Sequence, residues 1–219
     1  MSDREQFQLL FPEENFDKMH NYIESFHKMI TFYKCAMMQI ETKLKILNEE
    51  FSHEIDRNPI NNIKCRLKSF PSIRAKAERN GCPMTPDSIE ENLNDIAGVR
   101  VICSFKDDVY NIANALTRQN DITLVSKKDY IENPKPNGYR SLHMIVMLPI
   151  FFANEKQYVK VEVQLRTIAM DFWASLEHQL KYKKNVCFTD EMSDELYKCA
   201  QISYSLDEKM NRLKNAVLE

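Results

Sequence analysis

The chain has 219 residues, 43% hydrophobic and 28% charged, an ordinary globular composition long enough for one well-buried domain. A net charge of −2 excludes a global attraction to nucleic acid or to an anionic membrane, so any basic site has to be local. Only three glycines occur, Gly81, Gly98 and Gly138, which excludes a glycine-rich phosphate loop and a dinucleotide fingerprint and leaves side chains to hold any phosphate.

The opening residues, MSDREQFQLL, are charged from the start and do not read as a secretion signal. Residues 14–52 then lack Gly and Pro, with Tyr22, Phe26, Met29, Ile30, Tyr33, Met37, Ile40, Leu44 and Leu47 on one helical stripe. Asn58-Pro59 breaks that pattern. Arg66 and Lys68 are expected to lie outside any strand, ahead of a helix that runs to Arg79 with Ser69 as its cap. NGCPMTP is a turn-rich loop and IEENLND a short helix leading into a strand, GVRVICSF. DDVYNIANALTRQ is helical, DITLVSKKDYI a second strand and its exit, and ENPKPNG a polar loop.

YRSLHMIVML reads as a third strand, joined by a short connection to YVKVEVQLR, so the two form an antiparallel hairpin. In the latter, Val159, Val161, Val163 and Leu165 share one side, and Lys160, Glu162, Gln164 and Arg166 the other. The apolar side needs a core; the polar side is either a solvent face or the floor of a site. IAMDFWASLEHQLKY is amphipathic, with Ala169, Phe172, Trp173, Leu176 and Leu180 aligned and Trp173 read as core. A last helix carries Met192, Leu196, Cys199, Ser203, Leu206, Met210, Leu213 and Val217 at helical spacing. The expected fold is α+β: a mixed sheet of four to five strands with flanking and terminal helices. One domain fills 1–219, with a core of about 58–184 between terminal helices at 14–52 and 190–217. The six cysteines form no CxxC pair and read as reduced thiols of a cytosolic protein. The longest apolar run, Met144–Ala153, contains Pro149 and is far short of the ~20 residues a spanning helix needs, so no membrane is expected.

Polar residues converge on four stretches: NDIAGVR with Asp95 and Arg100, NGYRSLH with Tyr139 and His143, the strand with Glu162, Gln164 and Arg166, and CRLKSFPSIRAKAER. In the last, Ser72, Lys76 and Arg79 fall on one helical face near a helix N-terminus, an arrangement suited to phosphate. Taken singly, each has a plain structural explanation: Asp95 as a cap, His143 as a satisfied core histidine, Glu162 as a cross-strand ion pair.

In combination, RLKSFPSIRAKAER, NDIAGVRVIC, KDYIENPKPNGYRSLHMIV, VEVQLRTIAMDFW and SLEHQLKYK resemble, in order and spacing, the synthetase domain of the RelA/SpoT homologue family. The resemblance spans about 61–184 and is strongest to its short form, the small alarmone synthetases of the RelQ or RelP kind. It implies a nucleotidyltransferase-like sheet and Mg²⁺-dependent transfer of pyrophosphate from ATP to the 3′-hydroxyl of GDP or GTP. It implies that Asp95 and Glu162 are the catalytic carboxylates and metal ligands. It places Arg66, Lys68, Ser72, Lys76, Arg79 and Arg100 at ATP, with Arg66 and Arg100 flanking adenine. It places Lys135, Tyr139, His143, Gln164 and Asp171 at the acceptor, with Tyr139 stacking on guanine. No His-Asp dipeptide occurs, so no alarmone hydrolase is expected. The resemblance also implies a cytoplasmic homotetramer held by terminal helices; single-stranded RNA is compatible as a partner but not indicated. Two other readings stay open: a pyrophosphokinase with an adenine-nucleotide or tRNA acceptor, and a catalytically silent nucleotide- or RNA-binding regulator.

Overall fold

Val159, Val161, Val163 and Leu165 are all but sealed from solvent, and they make the last strand the centre of the molecule. The computed structural model describes residues 13–181 and 188–218. The opening decapeptide, Cys187 and residues 182–184 lie outside the described residues. Five strands form one sheet: β1 (Ile60–Leu67), β2 (Ala97–Cys103), β3 (Thr123–Asp129), β4 (Leu142–Phe151) and β5 (Lys156–Thr167), in the order β1-β2-β5-β4-β3. β2 and β5 run parallel; the other three pairings are antiparallel, including the β4–β5 hairpin. The mixed α+β architecture and the hairpin are as the alternation predicts.

Register assigns each side chain to a face. Val99 lies level with Val163 and Val101 with Leu165, and Met144 and Leu142 continue the same two rows. Helix α1 (Glu13–Ile55) lies across these rows and beside α4 (Lys106–Thr117), with Phe26, Met29, Phe32, Tyr33, Ile40, Leu44 and Leu47 buried. A stripe of this size contributes stability through apolar area removed from water, about 25 cal/mol per Å². α1 stops at Asp56, whose φ of 52° lies in the left-handed region that an aspartate tolerates. The remaining helices are α2 (Phe70–Asn80), α3 (Pro86–Asn92), α5 (Ile168–Lys181) and α6 (Asp190–Leu218).

Three expectations need correction. Cys65, Arg66 and Leu67 are the end of a strand, not a segment outside the sheet: β1 pairs with β2 from Ile60 to Leu67. As an edge strand with most side chains exposed, it lacks the apolar alternation that betrays a strand in sequence. Ser69 occupies the N-cap position of α2 but makes no side-chain cap; its hydroxyl bonds Ser72 Oγ at 2.9 Å instead. On α5, Trp173 and Met170 are buried, whereas Phe172 is 64% exposed and Leu176 and Leu180 also face outward, so the aligned stripe is not one buried face.

Candidate active site

The polar face of the sheet is built in rungs. Arg66, Gly98, Glu162 and Ile145 form one row across β1, β2, β5 and β4; Lys64, Arg100, Gln164 and His143 form the next. Gly98 places no side chain between Arg66 and Glu162, which leaves the floor open at that rung. Above it lies a cavity of about 440 Å³ lined by Lys64, Arg66, Lys68, Asp95, Gly98, Arg100, Glu162 and Gln164. A second cavity, about 1050 Å³, is lined by Lys135, Asn137, Tyr139, His143, Arg166 and residues of α5. Arg66, Arg100 and Gln164 line both, so the two are chambers of one cleft.

In the smaller chamber, Asp95 stands in the loop before β2. Its Oδ2 accepts from Lys68 Nζ at 2.6 Å and pairs with Lys76 Nζ at 2.7 Å. Its Oδ1 is buried and has no hydrogen-bond partner. Burial works to raise the Asp95 pKa, but the hydrogen bonds from Lys68 and Lys76 outweigh it and hold the carboxyl below its ordinary value. Glu162 behaves alike: burial raises, the His143 and Gln164 contacts lower, and the net direction is down.

Between the chambers runs a closed ring of polar contacts. The Tyr139 hydroxyl meets His143 Nε2 at 2.9 Å, and His143 Nδ1 lies 3.4 Å from Glu162 Oε1. Gln164 Nε2 donates to Glu162 Oε2 at 3.0 Å, Arg166 Nη2 to Gln164 Oε1 at 3.0 Å and to the Tyr139 hydroxyl at 3.4 Å. The His143 tautomer that fits carries its proton on Nδ1, toward the carboxylate, and accepts from Tyr139 on Nε2. Arg166 is buried to 3% side-chain exposure, and that burial lowers its pKa. Its other terminal nitrogen is 3.5 Å from Asp171 Oδ1, and Arg100 and Lys64 also reach Asp171, at 3.7 and 3.4 Å. Lys135 Nζ lies over the Tyr139 ring, 4.8 Å from its centroid.

The fold thus brings Arg66, Lys68, Arg100, Asp95 and Glu162 into one chamber and Lys135, Tyr139 and His143 into the other, with Gln164 shared. Lys76 reaches the first chamber through Asp95. Ser72, Arg79 and Asp171 line neither: Ser72 is turned to Ser69, Arg79 is exposed on the last turn of α2, and Asp171 sits behind three cations. Sequence reasoning left out Lys64, whose signal is only visible once β1 is a strand and Lys64 falls beside Arg100. It counted Arg166 among the converging polar residues but gave it no ligand to hold, although the alternation that selected Glu162 and Gln164 points Arg166 the same way.

Residues 65–186 match the model of the region found in RelA / SpoT proteins. The chain is 46% identical over 201 residues, 92% of its length and 96% of the relative's, to GTP pyrophosphokinase YwaC of Bacillus subtilis. Among solved structures it is similar to small alarmone synthetase 2 of B. subtilis, with 46% identity, a TM-score of 0.79 and coverage of 88% of this chain and 99% of that one. It is also similar to small alarmone synthetase 1 of the same organism. Bound to its product pppGpp, that protein gives 34% identity, a TM-score of 0.80 and coverage of 89% and 98%. Bound to AMPCPP it gives 31%, 0.74, 89% and 98%.

Proposed function

The chain belongs to the RelA/SpoT family, and on that premise we propose that it is a small alarmone synthetase. It moves the pyrophosphoryl group of ATP to the ribose 3′-hydroxyl of GDP or GTP, forming ppGpp or pppGpp and releasing AMP. The observation that carries the mechanism is the two-chambered cleft whose shared wall is Arg66, Arg100 and Gln164, with Glu162 at the junction. Two nucleotides held end to end in such a cleft meet at one point. Positioning of this kind supplies much of the acceleration in phosphoryl transfer.

ATP is assigned to the chamber with the two carboxylates. Arg66 and Arg100 flank adenine, which suits the flat guanidinium better than an ammonium. Lys68 and Lys76 serve the phosphates; Ser72 and Arg79, which line neither chamber, are assigned to the phosphates and ribose by the family resemblance alone. Asp95 and Glu162 would hold Mg²⁺: both offer hard oxygen donors, and the buried, unpartnered Asp95 Oδ1 has a lone pair to give. Two carboxylates would leave the ion's remaining positions to phosphate oxygens and water. When bound, the ion supplies neutralisation of the triphosphate charge. The acceptor takes the larger chamber. Tyr139 stacks on guanine, Lys135, His143 and Arg166 meet its phosphates, and Gln164 and Asp171 support them. Glu162 orients the attacking hydroxyl. Its depressed pKa makes it a weak base, so positioning outranks proton abstraction.

The whole chain, 1–219, is assigned to one domain with a core of about 58–184. A homotetramer through the terminal helices is supported by the outward row of Ile202, Leu206, Met210 and Leu213 on α6. No described helix is long and apolar enough to cross a membrane. Cys35, Cys65, Cys82, Cys103 and Cys199 are free, which suits the cytoplasm. Incubation with Mg²⁺ and γ-labelled ATP tests the reading: label should pass to GDP and GTP, with AMP formed mole for mole. Release of ADP, or label on tRNA but not on guanine nucleotides, would overturn it.

A further inference from the structure

Tyr139 carries the proposed acceptor site, yet it sits in a long loop between β3 and β4, and its pose has to be fixed by something outside the loop. Its two chain neighbours both rest on α6. Gly138 has a φ of 85° and packs so closely that an added Cβ would lie 2.6 Å from Ala200 Cβ and 3.4 Å from the Tyr197 ring. Arg140 lays its guanidinium on the Tyr204 ring, 3.8 Å from the centroid, and donates from Nη1 to the Ile131 carbonyl at the start of the loop. Arg140 Nε is buried without a hydrogen-bond partner, so the ring face is what this guanidinium has on that side. α6 is in turn anchored away from the cleft: Trp173 Nε1 donates to the Leu196 carbonyl, Ser203 Oγ to the Ala169 carbonyl, and Thr167 Oγ1 to Asp207 at 2.6 Å. The loop closes on itself through Gly138 N to Lys135 O at 2.8 Å and Lys135 N to Tyr139 O at 3.1 Å. At its tip Asn137 accepts from Tyr139 N on Oδ1 and donates from Nδ2 to Glu177 Oε1 of α5, each at 3.2 Å, so that α5 holds the tip while α6 holds the two residues flanking Tyr139.

We propose that Tyr204, with Ala200 beneath Gly138, is a positioning element for the acceptor: α6 clamps the residues on either side of Tyr139 and thereby sets affinity for the guanine nucleotide. This rests on the acceptor role proposed for Tyr139. Tyr204 lines neither chamber, so it acts through the loop: through Arg140 on its ring face and, more weakly, through Lys106, whose Nζ lies 5.9 Å from the same ring centroid and pairs with Glu132 at 3.3 Å. A partly buried cation–π contact of this type sets the scale of the effect.

Tyr204→Ala should raise the KM for GDP or GTP about 3- to 20-fold, with kcat and the KM for ATP within about twofold of wild type. Tyr204→Phe keeps the ring face and should restore wild-type values. Lys209→Ala, exposed on the same helix, should change nothing. Hydrogen exchange at the Lys135 and Gly138 amides should be faster in Tyr204→Ala and in Arg140→Lys, which keeps the charge but loses the plane. An unchanged acceptor KM in Tyr204→Ala would overturn the proposal, as would an equal rise for both nucleotides that Tyr204→Phe fails to restore. Wild-type turnover judges the acceptor assignment separately: a protein that transfers nothing to guanine nucleotides would fail there, while the exchange rates would still decide whether α6 orders the loop.

Discussion

The two faces of β5 alternate residue by residue along one 12-residue strand and obey opposite rules. On one face Val159, Val161, Val163 and Leu165 are 3% exposed or less and pack on the α1 and α4 side of the sheet. Their burial needs no partner and stabilises the fold directly. On the other face Glu162 and Arg166 keep only 21% and 3% of their side-chain surface, although burying charge is costly. That cost is offset only because His143, Gln164, Tyr139 and Asp171 complete a ring around them. An ordinary solvent face would have left these groups wet. A polar face withdrawn from water and wired into a cleft is a floor built for a charged ligand.

The comparison can be broken by substituting neighbours on β5. Glu162→Gln should lower kcat by roughly 10²–10⁴-fold while the variant stays folded, with a melting temperature at pH 7 equal to or somewhat below wild type, because the contacts that hold the carboxyl below its ordinary pKa favour its charged form. Asp95→Asn should do the same. Near-normal turnover in either folded variant, at saturating Mg²⁺ and ATP, would remove the assigned role. Leu165→Ala, one residue from Gln164 and Arg166 but on the core face, should cost about 2–5 kcal/mol in denaturant unfolding. Its surviving folded fraction should keep most of its turnover. If instead Leu165→Ala proves catalytically dead yet stable, the two faces are not separable.

Tyr139→Ala sharpens the picture within the cleft. Loss of a stacking contact of about 1–3 kcal/mol should weaken GDP binding roughly five- to hundred-fold by calorimetry and leave ATP affinity in place. The reverse pattern would exchange the chambers. The smallest effect is expected at Asp207, which burial holds above the ordinary aspartate pKa against the opposing Thr167 hydrogen bond. A raised folded pKa means stability is fully present below the unfolded value and is lost as pH rises through the folded one. Asp207→Asn keeps an acceptor for Thr167 and should therefore melt at the same or a higher temperature than wild type at pH 7. The two should converge below about pH 4, where the wild-type carboxyl is protonated in both states. A lower melting point for the variant at pH 7 but not at pH 4 would reverse the sign.

What the sequence disclosed follows from which signals are local. Alternation fixes which side chains share a face of β5, so Glu162 and Gln164 were legible, and a neighbour of the same parity, Arg166, was there to be read. β1 was not legible: an edge strand needs no apolar stripe, and its site residues, Lys64 and Arg66, gain meaning only when pairing sets them beside Arg100 and Gly98. The terminal helices show the limit most plainly. Their stripes look alike in sequence, yet Phe26, Phe32, Ile40 and Leu44 of α1 form the core, while Leu206, Met210, Leu213 and Val217 of α6 stay exposed. Periodicity reports that a helix has an apolar face and is silent on what covers it. Tyr204 was invisible for the same reason, since nothing in SYSLDE says that an arginine from a remote loop will lie on that ring.

The pairing of β2 with β5 also has a kinetic side. Glu162 lies level with Gly98 only because the two strands run parallel, and reaching that register closes a loop on the order of 60 residues, which α4, β3 and β4 fill. Non-local, parallel pairing of this sort is intrinsically slow, because the loop-closure entropy comes before the contacts that offset it. Asp95, Arg66, Lys68 and Lys76 are all made well before β5 emerges during synthesis. A chain that ends before β5 therefore carries the basic groups of β1 and α2 but lacks the strand that brings Glu162, Gln164 and Arg166 to the cleft.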